Sequence, residues 1–353
     1  MIYKIMDELQ IDALLITDPY NMRKLSGFKG GEGYVYISRN HLVIITDSRY
    51  IQAAQQEKKA DFEVMKCDIN NSTSSIIKKL AESDNAKEVG FEDEHLTVAA
   101  YQSIQARCGF EKMIPLQHRI NEMRIIKTPE EIEKLKIAEA IGDKAFEHVI
   151  NIIKCGMTEL EVAAELEYVM KKNGAESLSF DTIVASGANS SLPHAVPGNR
   201  VIREGDFVLM DFGCKYDGYC SDMTRTIVMG TASQKQREIY DIVLKAQTEA
   251  MKYIKAGVTG GEIHNIASKV IEDAGYGDCF GHGLGHSVGM FIHENPRFSP
   301  SEKSVITAGT IETVEPGIYI PDFGGVRIED MILVTEDGFE NLTHSPKKLF
   351  EIK

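Results

Sequence analysis

Apolar and polar positions follow two different rhythms along this chain. In the first third, short apolar runs stand between helical stretches. Ala13–Thr17, Tyr34–Ser38 and Leu42–Thr46 read as strands, and Ser48–Lys58 reads as a helix. This alternation predicts an α/β domain built on a mixed sheet. Residues 27–33, Gly-Phe-Lys-Gly-Gly-Glu-Gly, lack the G-K-[ST] ending of a phosphate loop and read as a flexible turn or a substrate-facing loop.

The rhythm changes near residues 121–128. Thr128-Pro129-Glu130-Glu131 is a capping box with proline at the first helical position, and it predicts a long helix reaching about Ile153. The expected division is therefore 1–123 and 124–353. The second part repeats itself. Ile153-Lys154-Cys155-Gly156-Met157-Thr158 returns as Ile254-Lys255-Ala256-Gly257-Val258-Thr259, and Glu161 and Gly174 return as Glu262 and Gly275. Each copy follows a long amphipathic helix, opens another, and leads into a strand-rich segment. Two similar α/β halves packed face to face are expected, with a deep cleft between them.

Size and charge narrow the possibilities. The 353 residues exceed the roughly 250–300 at which a single core stops growing. With a net charge of −14 and no basic patch, nucleic acid is excluded as a partner. No apolar run approaches the roughly 18–20 residues of a membrane helix. The first residues carry acids early and do not form a signal peptide, so a cytoplasmic location is expected. Six scattered cysteines without a C-x-x-C pair read as small buried hydrophobes in a reducing compartment. Cys214 and Cys220 flank an Asp-Gly turn and are placed to face each other.

Three segments carry candidate chemistry. In the first, Asp211 and Asp222 flank the Asp-Gly turn signal. Folding about Tyr216 and Asp217 sets the two carboxylates opposite each other, about 5 Å apart on one face. In the second, Glu315 and Glu329 flank a turn at Asp322–Gly325, and folding about Asp322 pairs them. Both pairs adjoin apolar residues, and close buried like charges require a cation. The third is Gly281-His282-Gly283-Leu284-Gly285-His286-Ser287-Val288-Gly289, followed by His293-Glu294-Asn295-Pro296-Arg297. Taken singly, each group has a plain structural reading: a turn former, a hydrogen-bonded histidine, a surface ion pair. Together, four carboxylates and an imidazole without a thiolate suit two divalent first-row cations: manganese, cobalt or zinc.

These segments resemble those of the pita-bread metallopeptidases, in particular the proline-specific branch of aminopeptidase P and prolidase. The likeness covers essentially the whole chain. Leu25-Ser26-Gly27-Phe28 and Thr46-Asp47-Ser48-Arg49-Tyr50 resemble the creatinase-like N-terminal domain. Ala185-Ser186-Gly187-Ala188-Asn189, Pro193-His194, Ser221-Asp222-Met223-Thr224-Arg225, Val314-Glu315-Pro316-Gly317 and Arg327-Ile328-Glu329-Asp330 resemble the catalytic domain. The resemblance implies an α/β (α+β) chain: a creatinase-like mixed-sheet domain followed by a pita-bread domain with an internal pseudo-twofold repeat.

It also implies metal ligands Asp211, Asp222, His286, Glu315 and Glu329, holding two divalent ions, manganese first, with cobalt or zinc as alternatives. His286 is chosen over His282 because the family's ligand histidine stands seven residues before the histidine of its H-E-x-P segment, here His293. Glu315 is implied as both ligand and general base. His194 and His293 are implied as hydrogen-bond donors to the scissile carbonyl, and His282 as a further active-site histidine. The substrate's free amine is placed against the Asp211–Asp222 edge. Arg297 is a candidate partner for a dipeptide carboxylate, and Arg327 a candidate to orient Asp222 or Glu329. The expected activity is that of an Xaa-Pro aminopeptidase, acting on peptides with proline in the second position and forming a homodimer. The alternatives are an Xaa-Pro dipeptidase (prolidase) and a pita-bread peptide-binding module without activity. Methionine aminopeptidases share the metal chemistry but usually lack the N-terminal third, and creatinase lacks the ligands.

Overall fold

The computed structural model describes residues 1–353, which divide into two compact units, Met1–Arg124 and Ile125–Lys353. In the first unit the elements run α1 (Ile2–Leu9), β1 (Ala13–Ile16), α2 (Pro19–Ser26), β2 (Tyr34–Ser38), β3 (Leu42–Thr46), α3 (Ile51–Glu57), β4 (Glu63–Lys66), α4 (Thr73–Asp84), β5 (Glu88–Phe91), α5 (Val98–Cys108) and β6 (Lys112–Pro115). The strands form one sheet in the order β4-β3-β2-β1-β5-β6. The β1–β2 and β2–β3 pairs are antiparallel and the rest parallel, so the sheet is mixed as expected. The apolar runs are continuous because both faces are covered. Ala13, Leu15, Tyr36, Val43 and Ile45 enter one core, while Leu14, Ile16, Val35, Ile37 and Ile44 enter another. The predicted helix at Ser48 begins three residues later. Asp47 first closes a turn by accepting the Arg49 amide at 2.8 Å. In the glycine run, Gly27 ends α2 with a left-handed backbone (φ 86°). At Gly33 a side chain would meet the Ile45 carbonyl, so the loop needs glycine to pass close to β3.

The second unit starts with α6 (Pro129–Ile152), whose capping box at Thr128 and Glu131 is formed. Next come α7 (Glu159–Lys172), β7 (Ser177–Leu178), β8 (Ile183–Ser186), β9 (Phe207–Phe212), β10 (Cys214–Tyr216), β11 (Tyr219–Cys220) and β12 (Met223–Met229). The second half runs α8 (Gln234–Met251), α9 (Gly260–Asp273), β13 (Gly285–Ser287), β14 (Glu294–Phe298), β15 (Ile311–Val314), β16 (Gly317–Ile320), β17 (Gly324–Arg327), β18 (Asp330–Val334), β19 (Phe339–Asn341) and β20 (Glu351–Ile352). The duplication shows in matching detail. Thr158 and Thr259 both close capping boxes with a glutamate three residues on. Gly156 and Gly257 share left-handed backbones near φ 98° and 94°. Thr158 bridges Val201 as Thr259 bridges Val305. Each half has its own core, one gathered on α6 and α7 and the other on α8 and α9.

Two hairpins set the register of the chemistry. In the first, Tyr216 pairs with Tyr219, Met223 with Phe212, and Thr224 with Asp211. The turn is therefore centred on Asp217–Gly218, not on Tyr216–Asp217. Both central residues have positive φ (41° and 73°), as a two-residue turn matching the strand twist demands, and aspartate and glycine tolerate this where tyrosine does not. The directly opposed Asp211–Asp222 pair is thus corrected: Asp211 faces Thr224, and Asp222 lies diagonally from it. The same register puts Cys214 and Cys220 on opposite strand faces. Their sulfurs point to the Ala138 and Met290 carbonyls, and both thiols are free. In the second hairpin, Gly317 pairs with Arg327 and Val314 with Asp330 in one continuous register about Asp322, which is itself left-handed (φ 62°). Glu315 and Glu329 fall level with each other between the two paired stretches.

Candidate metal centre

All ten candidate residues line one cleft of about 530 Å³, with walls drawn from residues 180–222 and 282–329. A larger hollow of about 840 Å³, flanked by α9 and the turn before β19, contains none of them. Asp211 closes β9, and Asp222 precedes β12. Glu315 and Glu329 leave the second hairpin at its unpaired step. There the Glu315 amide bonds the Leu284 carbonyl at 2.8 Å and the Glu329 amide bonds the Thr224 carbonyl at 3.1 Å. The Glu329 bond ties the two halves of the fold together at the cluster, while the Glu315 bond anchors that acid within its own half.

Carboxylate oxygens of Asp211, Asp222 and Glu329 all lie within 4.8 Å of one another. Nε2 of His286 is 3.5 Å from Asp222 and 3.6 Å from Glu315. Asp222 thus belongs to both groups. Burial, then the charges of Glu329 and Asp211, pushes the Asp222 carboxyl well above its usual range. Burial and then Glu315 and Asp211 do the same to Glu329. Burial holds Glu315 up at about 8, with Asp211 adding to it and Arg327 opposing. Acids crowded in this way ionise only when positive charge is supplied.

The two glycine-flanked histidines differ in what their nitrogens do. His282 uses both: Nδ1 meets the Gly283 carbonyl at 2.7 Å, and Nε2 meets the Tyr319 hydroxyl at 2.9 Å. His286 spends Nδ1 on the Ser287 carbonyl at 3.2 Å, which leaves the Nε2 lone pair facing two carboxylates. Burial, then His293, depresses His286 to about 3, so the ring is neutral. A lone pair aimed at carboxylates is unfavourable unless a cation lies between them. Asp211 makes the same demand, because its Oδ1 is buried without a hydrogen-bond partner. The donor set of carboxylate oxygens and one imidazole nitrogen fits divalent first-row ions.

Arg327 is buried; its direct carboxylate partner is Asp211 rather than Asp222, and it reaches the expected Glu329 only through Thr224. Nη2 donates to Asp211 at 2.5 Å, Nη1 to the Tyr319 hydroxyl at 2.8 Å, and Nε to Thr224 Oγ1 at 3.1 Å. Thr224 in turn donates to Glu329 at 2.7 Å. The guanidinium therefore fixes Asp211 directly, Glu329 through Thr224, and His282 through Tyr319. Thr224 and Tyr319 were not singled out from the sequence, nor was Glu139. Thr224 stands two residues after Asp222, so strand parity was an available signal. Tyr319 has only its spacing in a short apolar strand. Glu139 is one of many helical glutamates, yet it is fully buried, accepting the Asp222 amide at 3.3 Å and the Thr343 hydroxyl at 2.5 Å. Burial pushes its carboxyl up to about 8.

His194, His293 and Arg297 are exposed within the cleft. The His293 ring lies edge-on to His286, with centroids 4.6 Å apart. Arg297 pairs with His286 across β13 and β14, so both side chains face the same way. Its guanidinium makes no ion pair.

A duplicated α/β fold with such a cleft between its halves places the protein in one class, the pita-bread metallopeptidases. The chain belongs to metallopeptidase family M24, which matches residues 133–336, and residues 2–126 match the creatinase/prolidase N-terminal domain. Among its relatives, the Xaa-Pro dipeptidase of Pyrococcus furiosus is 42% identical over 98% of this chain and 97% of that protein. An Xaa-Pro dipeptidase structure from Bacillus anthracis superposes with a TM-score of 0.95 at 43% identity, covering 99% of this chain and 98% of that one. An X-Pro aminopeptidase structure from Thermotoga maritima MSB8 superposes at 0.92 with 39% identity, covering 99% and 100%. As a member of this family the protein is a metal-dependent hydrolase of peptide bonds. No helix is long and apolar enough to cross a membrane.

Replacing Thr224 with valine keeps the shape but removes the hydroxyl joining Arg327 to Glu329. Manganese affinity measured by calorimetric titration is expected to fall about 10–100-fold. An unchanged affinity would remove Thr224 from the support of the cluster.

Proposed function

We propose that the protein is an Xaa-Pro dipeptidase, hydrolysing the bond that precedes a C-terminal proline. The observation that carries this reading is Arg297: an unpaired cation in the cleft, on the same strand face as His286 and beside the carboxylate cluster. A dipeptide spanning the cluster ends in a carboxylate, and a guanidinium is its natural partner. The dipeptidases among the relatives support this more strongly than they support the aminopeptidase expected from the sequence. The similarity to the Thermotoga maritima X-Pro aminopeptidase favours the second reading, an enzyme that also accepts longer peptides.

Asp211, Asp222, His286, Glu315 and Glu329 would hold two divalent ions, manganese first. When bound, these supply Lewis-acid polarisation of the scissile carbonyl and lower the pKa of an attacking water. The remaining steps fall to the chain's own residues. Glu315 keeps 17% of its side chain open to the cleft, and in this reading takes the proton of the water and delivers it to the proline nitrogen as the bond breaks. His194 and His293 donate hydrogen bonds to the carbonyl oxygen as charge develops there. The Arg327–Tyr319–His282 chain holds the wall behind them. A reducing cytoplasmic setting suits the six free thiols, and a homodimer is part of the same proposal.

Two variants test this. In manganese-saturated protein, Glu315→Gln should lower kcat about 10²–10⁴-fold with an unchanged circular dichroism spectrum; near-normal turnover would dismiss Glu315 as the base. Arg297→Met should raise KM for an Xaa-Pro dipeptide about 10–100-fold while leaving any cleavage of Xaa-Pro-Yaa far less affected. Equal losses on both lengths, or a wild type that prefers the longer peptides, would favour the aminopeptidase reading.

A further inference from the structure

Besides its four histidines, the cleft is lined by seven acidic or basic side chains: Asp181, Asp211, Asp222, Arg297, Glu315, Arg327 and Glu329. Four of them are the clustered carboxylates, and Arg327 is bound to Asp211. Two are left without any ion pair or hydrogen bond to the charged group, Arg297 and Asp181. They carry opposite signs and come from opposite halves of the duplicated fold. Arg297 lies across the ladder from His286. Asp181 is exposed to the cleft and stands two residues before Ile183, which pairs with Asp211. Asp181, just ahead of β8, lines the same cleft wall as Ile183 and Asp211. Beside it, Thr182 is 4% exposed and its hydroxyl has no partner.

If the proline carboxylate is held at Arg297, the residue before proline extends toward the other half of the fold. Its α-amine is then taken by the Asp211–Asp222 edge, and the next acceptor along that wall is Asp181. We propose that Asp181 is a specificity residue that favours a cationic side chain, lysine or arginine, in the position before proline. This rests on the Xaa-Pro peptidase reading but not on the length of the peptide. A carboxylate with no internal partner keeps its full attraction for an incoming ammonium or guanidinium, whereas those of the cluster are already committed. A solvent-accessible pair of this kind is modest and sensitive to salt.

The test uses full-length, manganese-loaded protein and the ratio of kcat/KM for Lys-Pro over Leu-Pro, together with Lys-Pro-Gly over Leu-Pro-Gly. The wild-type ratio should fall about three- to fivefold in Asp181→Asn. It should be restored in Asp181→Glu, and Asp181→Lys should shift preference to Glu-Pro. Raising the salt concentration should lower the wild-type ratio and leave that of Asp181→Asn unmoved. If both substrates lose equally in Asp181→Asn, the residue anchors the α-amine or serves the fold, and the inference is overturned. An unchanged ratio overturns it as well. If the tripeptides alone are cleaved, the dipeptidase reading fails while the ratio still decides the role of Asp181. If no Xaa-Pro peptide of either length is cleaved, both fall together.

Discussion

Three carboxylates whose oxygens approach within 4.8 Å repel one another by at least about 3 kcal/mol per pair at an effective dielectric constant near 20. Summed over the three pairs, that approaches the whole stability of an ordinary domain, about 5–15 kcal/mol. Arg327 pairs directly with Asp211 alone and eases Glu315 and Glu329 only from a distance. The rest of the repulsion must be met by protons or by bound cations, and the raised pKa values of Asp222, Glu315 and Glu329 express that choice. The neutral His286, presenting a lone pair to the same space, is suited to a cation and not to a proton shared with carboxylates. The second unit is organised around this electrostatic demand.

The fold meets the demand by duplication. Each half contributes one carboxylate hairpin, and the second hairpin loses its own pairing at the step where its acids lie. The backbone groups freed there are not wasted, since Glu329 bonds to Thr224 and Glu315 to Leu284. Arg327 then ties the hairpins side chain to side chain. Rotating one half against the other would break the Glu329–Thr224 bond and the Arg327 bonds together. This is why groups behind the ligands matter as much as the ligands do.

The sequence revealed the parts of this arrangement that depend on local rules. The capping box at Thr128, the repeat of Thr158 in Thr259 and the turn at Asp322 are each written in a few adjacent residues. The first hairpin departs from the sequence expectation by two positions because the acids do not fix its register. The turn fixes it instead, through the two left-handed residues Asp217 and Gly218. Groups that act across the fold were less legible. Arg327 meets Asp211 over 116 positions, and Glu139 reaches Asp222 over 83. No local pattern marks Glu139 among the glutamates of α6, because only the packing of that helix on the first hairpin makes it a buried group. Both the family resemblance and the carboxylate pattern lead to the same cleft, and the resemblance alone, through the spacing to His293, prefers His286 over His282, the histidine whose Nε2 faces two carboxylates being His286.

This crowding of acids serves to bind divalent ions. Elemental analysis after equilibrium dialysis against manganese tests it most directly. Two ions per chain are expected in the wild type and at most one in Asp222→Asn, since Asp222 belongs to both groups of the cluster. A folded wild type that retains no metal, or an Asp222→Asn protein that retains both ions, would contradict it.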